Sequence, residues 1–71
     1  MFDRITFNPN VLGGRACIRG MRISVALVVN LVENGMAESE VIENYPDLEP
    51  EDIRQAMAYA AAQGGLGEGL T

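Results

Sequence analysis

The segment from Ser24 to Gly35 constrains this chain more than any other. Val25, Leu27, Val28, Val29, Leu31 and Val32 crowd into one stretch of helical length. Ser24 is a good N-cap for it, and Gly35 after Asn34 supplies the left-handed C′ stop. The six apolar residues cover nearly the whole circumference, and a helix apolar all round is buried all round. The chain has 71 residues, which makes one core and buries roughly 60% of its unfolded surface. A domain that small is marginal. Val25, Val28, Val29 and Val32 are therefore expected to meet a homodimer mate or a partner chain; the alternative is that the residues before Ser24 cover the far side.

The usual staples of small domains are missing. Cys17 is the single cysteine and there is no histidine, so neither an intrachain disulfide nor a histidine-completed zinc site is available. No cofactor is expected. The opening Met1-Phe2-Asp3-Arg4 does not read as a signal peptide, and the apolar run Val25 to Val29 is too short to span a bilayer. With an unpaired thiol, a cytoplasmic location is the expectation.

Charge is distributed unevenly. Arg4, Arg15, Arg19 and Arg22 against Asp3 leave residues 1–32 at +3, whereas nine acids against Arg54 leave residues 33–71 at −8. Lysine is absent. Arginine alone in the basic half favours bidentate contacts with carboxylate or phosphate. The acidic half repels nucleic acid and reads most simply as solvated helix surface.

Ile5-Thr6-Phe7 alternates as a short strand, and Asn8-Pro9-Asn10 is turn chemistry. Gly13-Gly14 marks a tight turn. Ala16-Cys17-Ile18 and Met21-Arg22-Ile23 read as extended pieces around Gly20. A second helix is expected over 38–44, with Val41, Ile42 and Tyr45 inward, stopping at Pro46. The third starts after Glu49 with Pro50 at N1, acids in its first turn and Leu48 stapled to Ile53. Ile53, Ala56, Met57, Ala60 and Ala61 form its buried stripe. Glu51, Asp52, Arg54, Gln55, Ala58, Tyr59 and Ala62 face outward. The expected architecture is mainly α, a three-helix, helix-turn-helix-like domain over 1–63 whose β arm occupies 1–23. Residues 64–71 form a flexible glycine-rich tail.

Catalysis has few candidates. Without histidine or lysine, a nucleophilic triad or Schiff base has no members. Cys17 lies between Arg15 and Arg19 but has no base beside it, and it reads as a small core residue. Glu38, Glu40, Glu43, Glu51 and Asp52 read as solvated carboxylates. Gly13, Gly14 and Gly20 lack the spacing and the lysine of phosphate-binding loops. The chain is expected not to be an enzyme. Binding is the remaining class. Arg54 and Gln55 on the third helix have base-reading chemistry, although two acids stand beside one arginine there.

The stretch Gly13-Gly14-Arg15-Ala16-Cys17-Ile18-Arg19-Gly20-Met21-Arg22-Ile23 resembles the GGxPCIxGTRI signature of the prokaryotic domain-of-unknown-function family 433. Downstream blocks agree, among them Leu31 to Met36, Val41 to Leu48, Glu51-Asp52-Ile53 and Ala58-Tyr59-Ala60. The resemblance covers about residues 4–62. It departs at Ala16, Met21, Ala37 and Glu49, where the family commonly carries proline, threonine and two capping hydroxyls. That family resembles VapB-like antitoxins of type II toxin–antitoxin modules, which implies neutralisation of a PIN-like ribonuclease toxin and operator binding by the complex. Such nucleases hold metal with clustered acids. A guanidinium pairs with those carboxylates, so Arg15, Arg19 and Arg22 are the candidate toxin-binding residues. The rival expectation for each arginine is a tether to an acidic helix of its own chain, such as Glu40 or Glu43. Two further alternatives are a stand-alone helix-turn-helix transcriptional regulator, reading DNA with Arg54 and Gln55, and a plain homodimerisation module.

Overall fold

A computed structural model of the chain describes residues 2–63. The tail expected over 64–71 lies outside the described residues. A two-stranded antiparallel hairpin, β1 (Ile5–Phe7) and β2 (Ala16–Ile18), precedes three helices, α1 (Val25–Glu33), α2 (Glu38–Asn44) and α3 (Pro50–Ala62). The domain is mainly helical, as its sequence predicts.

Each boundary has a local cause. Ile5 pairs with Ile18, Thr6 with Cys17 and Phe7 with Ala16. The extended piece expected at 21–23 is reduced to a bridge between Ser24 and Cys17, with the Ile18 N–H donating to the Ile23 carbonyl at 2.9 Å. At the start of α1 the Ser24 hydroxyl accepts from the Leu27 N–H at 3.0 Å. At its end Gly35, at φ 98°, sends its N–H to the Val32 carbonyl while Met36 donates to Leu31, both at 3.0 Å. That pair of bonds is the Schellman motif, which glycine at C′ allows without steric strain. α2 and α3 lack capping hydroxyls but keep the return half of a capping box. The Ala37 N–H donates to Glu40 Oε1 at 3.0 Å, and the Glu49 N–H to Asp52 Oδ2 at 2.7 Å.

The core joins Ile5 and Ile18 of the arm to Val25, Val28, Val29, Val41, Leu48, Ile53, Ala56 and Ala60. α3 packs chiefly on α1, and Leu48 and Ile53 are both buried, as a staple across the start of α3 requires. Here the expectation for α1 needs correction. Val25, Val28 and Val29 are closed off within their own chain, at 1%, 0% and 3% exposure, and are not interface; of the four valines named, only Val32 is half-buried. The covering is supplied by the arm and by α3, with Ala26, Asn30 and Glu33 left as the exposed face. Ala61 is also exposed rather than part of the α3 stripe. No helix among the described residues is long and apolar enough to cross a membrane.

Candidate docking arm

The signature segment forms the arm, and one carboxylate fixes where it lies. Asp52 is fully buried, although its sequence position suggests an outward carboxylate. Its Oδ1 accepts from Arg19 Nε at 3.1 Å and from Arg4 Nη1 at 3.2 Å. Its Oδ2 accepts from Arg19 Nη2 at 2.9 Å and from the Glu49 N–H. Four donors thus satisfy both oxygens, which is the condition for burying a charge. Burial alone pushes the Asp52 carboxyl up. The hydrogen bonds from Arg19, the Glu49 amide and Arg4 outweigh it and hold the group below its ordinary value of 3.8.

The same two arginines reach further. Arg19 Nη2 donates to the Asp47 carbonyl at 2.6 Å, and Arg4 Nη1 pairs with Glu49 Oε1 at 2.6 Å. Arg19 makes these bonds from a left-handed backbone, φ 45°, a conformation that is uncommon for a side-chain-bearing residue. Its N–H continues the hairpin ladder to the Arg4 carbonyl. Gln55 closes the junction from α3. Its Oε1 accepts from the Arg4 N–H at 3.0 Å, and its Nε2 donates to Asp3 Oδ1 at 2.7 Å and Glu51 Oε2 at 3.3 Å. Those Gln55 bonds lower both the Asp3 and the Glu51 carboxyl from their ordinary values.

Beyond this junction the arm is open. Arg15 and Arg22 are exposed and make no ion pair among the described residues. Phe7 and Leu12 are the exposed large apolar residues among the described residues, at 60% and 37%. Phe7 leans on Tyr59 with ring centroids 6.1 Å apart, and Phe2 meets the same ring edge-on at 5.5 Å. Among the described residues no group of three acids, histidines or cysteines is placed to hold a metal.

The chain matches the family described as "Protein of unknown function (DUF433)" over residues 5–60. It belongs to the DUF433 family. A crystal structure of a DUF433 member protein from Anabaena variabilis is similar at a TM-score of 0.78 and 37% identity, covering 84% of this chain and 59% of that one. An uncharacterised protein of Sinorhizobium fredii, y4eO, is 38% identical over 58 residues, 82% of this chain and 26% of that protein. The chain therefore spans about a quarter of that relative's length.

Within this DUF433 arm the three candidate arginines separate. Arg19 is a tether, to Asp52 rather than to Glu40 or Glu43, whereas Arg15 and Arg22 face solvent. On α3, Arg54 is exposed and bonds Glu51 Oε1 at 3.2 Å, and Gln55 is half-buried and fully engaged. Three residues escape the sequence reading. Asp52 looks like one more first-turn acid; the signal for its burial is that it lies four residues before Ala56, at the edge of the apolar stripe. Phe7 reads only as the end of a short strand and Leu12 as the approach to the glycine turn, and the structure places both, exposed, at the open end of the hairpin.

Proposed function

We propose that this DUF433 chain is an antitoxin-type binding protein that neutralises a PIN-like ribonuclease by docking its arm against the nuclease's acidic metal-binding cluster. One observation carries the reading: Arg15 and Arg22 stand exposed without an acidic partner among the described residues, on an arm that the Arg19–Asp52 pair holds in place. The stretch from Ile5 to Val32 contains no acidic residue, and neither arginine pairs with a helix acid among the described residues, which leaves both available to a partner's carboxylates. A planar guanidinium offers paired donors to clustered carboxylates, and an arm already anchored loses little freedom on docking. On this reading the chain is a binding protein, not an enzyme, and works in the cytoplasm beside its toxin.

The alternative, a stand-alone helix-turn-helix regulator, has less support. Gln55 is tied to Asp3, Glu51 and Arg4, and Arg54 is the single arginine on an α3 surface that also carries Glu51. Acids there oppose approach to phosphates. DNA contact by the toxin complex is compatible with the proposal.

The test is RNA cleavage by a PIN-like ribonuclease, sought in the gene beside this chain, at equal concentrations of inhibitor variants. Replacing Arg15 and Arg22 together by alanine is expected to lift inhibition while leaving the melting temperature of the free chain unchanged. Full inhibition by that double variant would remove the arginines from the mechanism. Failure of the unaltered chain to inhibit or bind the nuclease would remove the antitoxin reading itself.

A further inference from the structure

Independently of any partner, we infer that Asn34 is a modification site: its side-chain amide is lost by uncatalysed deamidation, and the closed end of α1 sets the rate. The chain has asparagines at positions 8, 10, 30, 34 and 44, and only Asn34 is followed by glycine. Deamidation begins when the backbone nitrogen of the next residue attacks the asparagine Cγ, so a successor without a side chain leaves that nitrogen most accessible. Pro9 after Asn8 has no N–H to lose, and the side chains of Val11, Leu31 and Tyr45 crowd the nitrogens after the other three. Asn34 and Gly35 are both exposed, which admits the water that the second step consumes.

In the first step the bond from the Gly35 nitrogen to Asn34 Cγ forms and the Cγ–Nδ2 bond breaks. The proton of the attacking nitrogen leaves with the amide as ammonia, and a five-membered imide remains. Water then opens the imide at one carbonyl or the other, giving aspartate or isoaspartate. No oxidant or reductant is consumed.

The folded chain holds the reacting atoms apart in three ways. Asn34 Nδ2 donates to the Asn30 carbonyl at 2.8 Å. The Gly35 N–H, whose proton must leave, donates to the Val32 carbonyl at 3.0 Å. At Asn34 ψ is 9°, which turns the Gly35 nitrogen towards the Asn34 nitrogen; ring closure needs it eclipsed with Cβ, roughly a third of a turn away about Cα–C. All three locks lie in the last turn of α1, which Met36 closes by donating to the Leu31 carbonyl and packing on the core. Helix ends open far more readily than a whole fold unfolds, so conversion proceeds through that local opening. Its product opposes reclosure: a carboxylate replaces the Asn30-bonded amide beside Glu33, at the negative end of the helix dipole, and isoaspartate also lengthens the backbone within the Schellman turn. Asn44 is the internal comparison, since its Nδ2 makes the same bond to the Glu40 carbonyl at 2.9 Å but its successor is Tyr45.

The test is incubation of the full chain at neutral pH and physiological temperature, folded and in unfolding urea, with its tryptic peptide 23–54, which holds Asn30, Asn34 and Asn44, followed by mass spectrometry. Asn34 is expected to convert ahead of the other two, and roughly tenfold or more slowly in the folded chain than in urea. Met36→Ala, which loosens the turn without touching the reacting atoms, is expected to speed conversion in the folded chain but not in urea. Asn34→Gln, whose longer side chain does not close the five-membered ring, should stop it, and Asn34→Asp should melt below the unaltered chain. Conversion at Asn30 or Asn44 as fast as at Asn34 would overturn the site, as would none at Asn34 in the folded chain over the time in which the urea-unfolded chain converts, or an undiminished mass gain in Asn34→Gln. Equal rates folded and in urea, or no response to Met36→Ala, would overturn the control by α1. A melt of Asn34→Asp at or above that of the unaltered chain would show that the product does not oppose reclosure.

Discussion

The two ends of the arm are built from the same kinds of residue and behave in opposite ways. At the turn end, Arg19 adopts a left-handed backbone and is repaid by a bidentate bond to a buried carboxylate. At the loop end, Leu12 adopts a left-handed backbone in a turn where its carbonyl accepts from the Arg15 N–H, while Arg15 has no acidic partner among the described residues. The left-handed residue at the turn end fixes the arm on α3, whereas the one at the loop end closes the turn that joins the two strands. The contrast also shows why four arginines in one segment are not four equivalent binding residues.

The sharpest way to break the comparison is to remove the carboxylate on which the turn end depends. Asp52→Asn keeps the shape but leaves Arg19 without its charge partner and Arg4 with Glu49 alone. Breaking a buried pair costs about 3–5 kcal/mol, and water access to the arginines reduces this to about 2–3 kcal/mol. In a domain of this size that lowers the melting temperature by about 10 °C or more. A melt within about 2 °C of the unaltered chain would mean that the turn end is no more constrained than the loop end. A double-mutant cycle of Asp52→Asn with Arg19→Ala isolates the pair itself.

Acid titration probes the same bond without mutation. The Asp52 carboxyl is held below its ordinary value in the folded state, so folding is favoured by its ionised form. That contribution is fully present above the unfolded value near 3.8 and disappears as pH falls through the lower folded value. Asp3 and Glu51, lowered by Gln55, act in the same direction. Melting temperature should therefore hold steady from neutrality to about pH 5 and decline below about pH 4, with a shallower decline in Asp52→Asn. Equal slopes for the two proteins would show that Asp52 is not the group being titrated.

Arginine deletions then sharpen the difference between the ends. Arg19→Ala should lower the melting temperature clearly, because it opens two bonds to a buried oxygen pair and one to the Asp47 carbonyl. Arg15→Ala and Arg22→Ala should each stay within about 2 °C of the unaltered chain, as surface changes usually do. A large loss from either would reveal an in-chain role for an arginine proposed to dock on a partner.

Much of the fold was legible because its signals are local. Ser24 as cap, Gly35 as stop, Pro50 at N1 and the alternation at Ile5–Phe7 each fix an element from within a few residues. The candidate site was legible only in part. The glycine-flanked arginines mark the arm, but which arginine is tethered depends on Asp52, 33 residues away from Arg19, and no local pattern carries that pairing. Asp52 itself was misread because an aspartate at a helix start is ordinarily exposed, and only paired acids are buried. The valines of α1 were misread for a related reason. Their number shows that the helix must be covered, but not that the arm preceding it and α3 are enough to cover three of them.

The smallest effects come from the two helices that start without a capping hydroxyl. Ala37→Ser adds an acceptor for the N–H of Glu40 at an exposed N-cap where Glu40 already accepts from the Ala37 amide. It completes the reciprocal box and should stabilise by about 0.5–1 kcal/mol, or a few degrees. Glu49→Thr offers the same hydroxyl to α3 but removes the carboxylate that receives Arg4 at 2.6 Å. Its gain should therefore be smaller than that of Ala37→Ser, and should match it only once Arg4 is replaced by alanine in both backgrounds. If Glu49→Thr raises the melting temperature as much as Ala37→Ser with Arg4 present, the Arg4–Glu49 pair adds nothing to the closed end of the arm, and Asp52 holds it alone.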